Sequence, residues 1–155
     1  MMSASRPPEL HRVILLVEDD PNDILLIQRA FRKATLTTVL RVVKDGDEAI
    51  AYLSGEGPYR DRRRYPLPVL ILLDLKLPRR SGFEVLQWLK ARSGLRRIPV
   101  VVLTSSRDSP DVNRAYDLGA NSYLVKPVKA AELEEMVRTM SLYWLIFNHP
   151  PQCHE

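Results

Sequence analysis

Two stretches of the chain are apolar without interruption: Val13-Ile14-Leu15-Leu16-Val17 and Val69-Leu70-Ile71-Leu72-Leu73. Runs of that length with no polar alternation predict strands covered on both faces of a sheet. Ile98 to Leu103 reads the same way, with Pro99 tolerated at a strand's beginning. Val39 to Val43 and Ser122 to Val125 are shorter strands. Between them the period changes. Pro21-Asn22-Asp23 opens a helix whose apolar positions Ile24, Leu25, Ile27, Ala30 and Phe31 suit a one-sided face. Asp45-Gly46-Asp47 makes a turn into a helix over Glu48 to Leu53, and Ser81-Gly82 leads into one from Phe83 to about Arg92. Asp108-Ser109-Pro110 caps a helix that runs to Leu118 and closes at Gly119, and Ala130 to about Phe147 is a long last helix.

Strand and helix alternate about five times, which predicts an α/β fold: a parallel sheet with helices on both faces. Right-handed crossovers then bring every strand's carboxyl end to one edge. Four of those ends carry, in order, Glu18-Asp19, Asp74, Thr104 and Lys126. Asp74 alone would be no more than a turn former or a cap. The convergence of four strands is the argument for a site. Three carboxylates brought together repel one another and favour a hard divalent cation. A lysine offsets the negative charge and can hold a phosphoryl oxygen, and a threonine hydroxyl can bond another. Asp74, at the centre, is placed to attack phosphorus as a carboxylate nucleophile.

Composition narrows the setting. The 155 residues suit one domain, and a mix of 45% hydrophobic and 27% charged residues is ordinary for a globular chain. A net charge of +4 permits a nucleic-acid partner without requiring one, and none is expected. No apolar run approaches a membrane span, and Met1 to Leu10 lacks a signal peptide's apolar centre, so a cytoplasmic protein is expected. A single cysteine, Cys153, excludes an internal disulfide. Residues 1–10 read as a disordered tail and 149–155 as a second, unstructured tail. In the latter His149, Cys153 and His154 lack further partners for a metal site. Ser54 to Pro68, with Arg60, Arg62, Arg63 and Arg64, reads as a long solvated loop. Asp20 and Asp23 read as helix-terminal groups rather than ligands, and Ser105 and Ser106 as either phosphoryl contacts or loop formers.

The motifs resemble those of a response-regulator receiver domain (CheY-like) of two-component signalling, from about His11 to Phe147. The matching residues are Glu18-Asp19 after Ile14-Leu15-Leu16-Val17, Asp74 within Leu72-Leu73-Asp74-Leu75-Lys76-Leu77-Pro78, Thr104 in Leu103-Thr104-Ser105, and Lys126-Pro127 after Tyr123-Leu124-Val125. The resemblance implies the flavodoxin-like strand order 2-1-3-4-5 over residues 11–148. It implies Asp74 as phosphoacceptor and Mg2+ (or Mn2+) held by Glu18, Asp19, Asp74 and the backbone carbonyl of Lys76. Thr104 and Tyr123 match the switch pair, and a cis peptide is expected at Lys126-Pro127. The implied partner is a histidine kinase that donates its phosphoryl group.

Two departures refine this. No output domain is expected after the last helix, and the arginine-bearing loop and the apolar Leu142-Tyr143-Trp144-Leu145-Ile146-Phe147 exceed a minimal receiver. Both resemble the stand-alone regulators paired with phytochrome histidine kinases, some of which form homodimers through the fourth helix, last strand and last helix. The consecutive apolar residues Trp144 to Phe147 surround a helix turn and cannot all be buried, which also points to a partner surface. Three alternatives fit less well. A carboxylate-nucleophile phosphatase wants a second acid two residues after the first, where this chain has Lys76; a nucleotide-binding flavodoxin-like protein wants a glycine-rich loop where it has Glu18-Asp19-Asp20-Pro21. A phosphorylation-independent interaction module, a pseudo-receiver, normally lacks an acidic or lysine position, and all are present.

Overall fold

The computed structural model describes residues 12–34 and 38–154; the expected tail at 1–10 lies outside them. Five strands, β1 (Val13–Val17), β2 (Val39–Val43), β3 (Leu70–Leu73), β4 (Val100–Thr104) and β5 (Ser122–Val125), form one sheet. The helices are α1 (Pro21–Lys33), α2 (Gly46–Ser54), α3 (Gly82–Lys90), α4 (Ser109–Asp117) and α5 (Ala130–Leu142). All strand pairs are parallel, in the order β2-β1-β3-β4-β5. This is the expected doubly wound arrangement.

Continuous apolar runs follow from the two-sided burial of the three central strands. Val13, Leu15 and Val17 of β1 join Ile71, Leu73, Val100 and Val102 in one core, which α2, α3 and Ala115 of α4 cover. The alternate residues, Ile14, Leu16, Leu70, Leu72, Val101 and Leu103, form a second core under α1 and α5. The edge strands differ, since every residue of β5 is only half-buried.

Register then sets the functional edge. Val17 pairs with both Val43 and Leu73, Leu73 with Val102, and Thr104 with Val125. Each of the next residues is still tied to its neighbouring strand. The amides of Glu18, Asp74 and Lys126 donate to the carbonyls of Val43, Val17 and Thr104 at 3.0, 3.1 and 2.8 Å. The polar residues therefore leave the sheet in line.

Three expectations change. The arginine-bearing loop is solvated at Arg60, Arg63 and Arg64, which are exposed, but packed elsewhere: a short 3-10 turn (Gly57–Tyr59) brings Tyr59 against Tyr52 and Tyr65, with ring centroids 5.0 to 6.0 Å apart. Arg62 donates to the carbonyls of Tyr52, Leu53 and Tyr65, which places its guanidinium on the carbonyl end of α2. The C-terminal tail is also placed, because the amide of His154 donates to the carbonyl of Gly94 at 2.9 Å and half-buried Cys153 packs on the first core. Finally, α5 ends at Leu142 and the chain continues as a π-helical turn over Tyr143–Phe147. That turn buries Leu145 and leaves Tyr143, Ile146 and Phe147 exposed, the apolar remainder expected from the sequence. Among the described residues no helix is long and apolar enough to cross a membrane.

Candidate functional site

At the carboxyl edge the Lys126 ammonium lies 2.6 Å from Glu18 Oε1, 2.8 Å from Asp23 Oδ2 and 3.3 Å from Asp74 Oδ2. Glu18, Asp74 and Lys126 are all buried, whereas Asp19 is exposed. Carboxylate oxygens of Glu18, Asp19 and Asp74 lie within 4.8 Å of one another. Burial pushes the Glu18 carboxyl up to about 7; its hydrogen bond with Lys126 opposes that rise and the Asp74 charge adds to it. Burial opposes the Lys126 charge, but hydrogen bonds to Asp23 and Glu18 and the surrounding negative charge outweigh it and hold the ammonium firmly protonated. One cation among these carboxylates leaves an excess of negative charge and hard oxygen donors, the chemistry that suits Mg2+ or Mn2+.

Thr104 ends β4 wholly buried, and its hydroxyl oxygen has no hydrogen-bond partner. A buried hydroxyl without a partner is costly, and this one lies at the same sheet edge as Asp74. Tyr123 donates its hydroxyl to the Ser106 carbonyl at 2.8 Å, while Ser106 donates its own hydroxyl to Asp111 at 2.6 Å. This chain of bonds ties β5 to the segment that leads into α4.

Local sequence explains how Asp74 is held. A Cβ on Gly82 would lie 2.2 Å from the Asp74 carbonyl oxygen and 2.7 Å from Leu75 Cα, so only glycine lets α3 start directly behind the acid. The Gly82 amide donates to the Leu75 carbonyl at 2.9 Å, and Ser81 and Glu84 close a reciprocal cap on α3. Between them the loop is strained: Arg79 sits at φ 67°, in the left-handed region, with its guanidinium 3.7 Å from Asp45. Arg80 pairs with Asp47 at 2.8 Å, and Gly46 fits against the Arg80 backbone where any Cβ would collide. The β2–α2 turn thus braces the loop beside the acid.

Glu18, Asp19, Asp74 and Lys126 come together as the sequence predicted. Thr104 ends the strand beside Asp74's, and the Lys76 amide donates to Asp74 Oδ1 at 3.4 Å, which brings that backbone past the acid. Asp20 is the helix-terminal group expected, accepting from the amides of Asn22 and Asp23. Asp23 is different. Set aside in sequence as a terminal group, it reaches Lys126, and the only signal for it was its place one helical turn after Asp19. Ser106 resolves as a loop former, buried against Asp111, while Ser105 is exposed. Asp108 stands at the N-cap position of α4 but its side chain makes no capping bond. The expected cis peptide is absent: Lys126-Pro127 is trans, the form favoured by about 0.5–1 kcal/mol, and three carboxylates hold the ammonium in place without it. Among the described residues His149, Cys153 and His154 join no metal-binding cluster.

Known proteins resemble the chain in sequence and in fold. The response regulator Rcp1 of Synechocystis is 42% identical over 145 residues, covering 94% of this chain and 95% of its own. The probable methanogenesis regulatory protein FilR2 of Methanothrix harundinacea is 43% identical, covering 90% of this chain and 87% of its own. The crystal structure of the phosphorylated cyanobacterial phytochrome response regulator RcpA superposes with a TM-score of 0.86 at 42% identity, over 92% of this chain and 99% of that one. The Mn2+-bound form of Rcp1 gives 0.84 at 41% identity, over 90% of this chain and 99% of that one. The family profile of the response regulator receiver domain matches residues 14–138. On sequence, fold and site together, the chain belongs to the response regulator receiver domain family.

Proposed function

We propose that Asp74 accepts a phosphoryl group from the phosphohistidine of a partner histidine kinase. The observation that supports this best is a buried carboxylate with an ammonium at 3.3 Å, at a sheet edge that also carries an unpartnered buried threonine hydroxyl. An Asp74 oxygen attacks phosphorus, the P–N bond breaks, and its electron pair stays on the donor's imidazole. No proton need be removed from a carboxylate, so no general base is required. Mg2+ or Mn2+, held by Glu18, Asp19, Asp74 and the backbone carbonyl of Lys76, would neutralise phosphoryl charge. Lys126 and Thr104 supply an ammonium and a hydroxyl to the phosphoryl oxygens. Engagement of Thr104 draws on the segment to which Tyr123 is bonded, so the half-buried β5 edge takes up the change. Water later hydrolyses the acyl phosphate.

The kinase is proposed to be of the phytochrome type, supported by the near-complete coverage of RcpA. A homodimer through α4, β5 and α5 is supported by the exposed Tyr143, Ile146 and Phe147 and by a groove of about 460 Å3 between β5 and α5, lined by Leu124, Met136, Met140 and Trp144. Sedimentation with and without phosphorylation tests the dimer, and a single species at monomer mass in both states removes it. The chemistry is tested by intact-protein mass after incubation with a small phosphodonor and Mg2+. One added phosphoryl group is expected, absent from Asp74→Asn and from the chelated control. Neither adduct nor phosphate release would favour the interaction module instead.

A further inference from the structure

Asp23 stands outside the family site as read from the sequence, yet it makes one of the two shortest contacts of Lys126. An ammonium has three donors and no acceptor. Here all three point at carboxylates, and the longest contact is the one to Asp74. Phosphorylation turns Asp74 into a neutral acyl linkage and sets the anionic oxygens further out from the strand. To bond them, Lys126 would have to lengthen one or both of its short contacts.

Those contacts are unequal. Glu18 is fixed from both sides, because its Oε2 accepts the Asp20 amide at 3.0 Å while Oε1 takes Lys126, and it is wholly buried. Asp23 lies in the first turn of α1 with its side chain 22% exposed. Its carboxylate can turn to water, and the positive end of the helix favours its charge there. Nor does Asp23 belong to the trio of mutually close carboxylates. Of the two, Asp23 is the contact less held by the surrounding fold.

We propose that Asp23 is a positioning residue that acts through Lys126, holding its ammonium back from Asp74 and so limiting how tightly the pocket grips a phosphoryl group. The proposal rests on the phosphoacceptor reading above. It implies that the unphosphorylated state is favoured by a contact the phosphorylated state loosens, which makes the switch easier to reset.

The test is the dissociation constant of beryllium fluoride, a phosphoryl mimic, at saturating Mg2+ in wild type, Asp23→Asn, Lys126→Gln and the double variant. Asn keeps the size of Asp, and α1 is capped by Asp20, so the fold should persist; Asp23→Ser serves as a second variant, and thermal melting checks both. Loss of a charge-assisted hydrogen bond that competes with the ligand should tighten binding about tenfold in Asp23→Asn. In the Lys126→Gln background the same change should have no effect. Unchanged or weaker binding in both Asp23 variants would overturn the proposal. Equal tightening with and without Lys126 would also overturn it, because Asp23 would then act by charge alone. Absence of binding by wild type would instead overturn the phosphoacceptor reading beneath it.

Discussion

The two edges of the sheet use their polar groups in opposite ways. At the amino edge, side chains close the structure. Arg62 covers the carbonyl end of α2, the Tyr52 hydroxyl donates to the Pro66 carbonyl at 2.9 Å, Lys90 donates to the Arg96 carbonyl, and Arg12 to that of Leu145. At the carboxyl edge, one lysine is shared by three carboxylates, a fourth stands close by, a threonine hydroxyl has no partner, and Arg79 sits in a strained backbone conformation. The polar groups named at one end are satisfied within the fold, and the other end keeps interactions that can be remade. A switch needs both, since groups that are all satisfied have nothing to gain from a new ligand.

Substitutions at each edge can break or sharpen this contrast. The largest loss of stability is expected for Gly82→Ala, whose Cβ would collide with the backbone of Asp74 and Leu75; about 3 kcal/mol should go, read by urea unfolding, together with phosphorylation at Asp74. At the opposite edge Arg62→Ala removes three hydrogen bonds to carbonyls and should cost about 2 kcal/mol while leaving the phosphorylation rate unchanged.

A smaller, pH-dependent effect belongs to Glu18. Its carboxyl is raised from 4.5 to about 7, so the folded protein holds a proton that the unfolded chain releases. The stability this contributes is complete below the unfolded value and lost as pH rises through the folded one. Thermal melts of metal-free protein should therefore show a decline through that window. The rise in melting temperature on adding Mg2+ should be larger near pH 8 than near pH 5, because the metal takes the proton's place. The smallest change in stability is expected for Thr104→Val, close to zero or slightly favourable, since the buried hydroxyl has no partner to lose. Its response to beryllium fluoride, read as chemical-shift changes at Tyr123, should nonetheless disappear. A stability loss at Thr104 as large as that at Arg62 would abolish the distinction between the edges.

Much of this was legible in the chain itself. Unbroken apolar runs announced strands buried on two faces, and the polar residue after each run announced the edge, because strand direction and crossover hand leave little freedom. What stayed hidden depended on distance in three dimensions. Asp23 looks like any acid in a first helical turn until α1 is packed against the sheet and its carboxylate meets Lys126. Arg62 is one of four arginines in a loop, and only the end of α2 distinguishes it. Gly82 reads as a helix starter, while its real constraint is the backbone of Asp74 behind it. Nor do the tail's prolines and lone cysteine carry any periodic signal for the contact at Gly94.

That contact gives the protein a built-in clock. Cys153 is the chain's one thiol, half-buried beside Lys90 and Arg97; burial raises its pKa, and those two cations draw it partly back. The exposed thiolate attacks a maleimide or a disulfide reagent. Its labelling rate on the native protein therefore counts how often the last residues lift from the amino edge. Followed while the opposite edge is loaded with phosphoryl mimic, the same rate would time any motion that crosses the sheet, with no engineered probe.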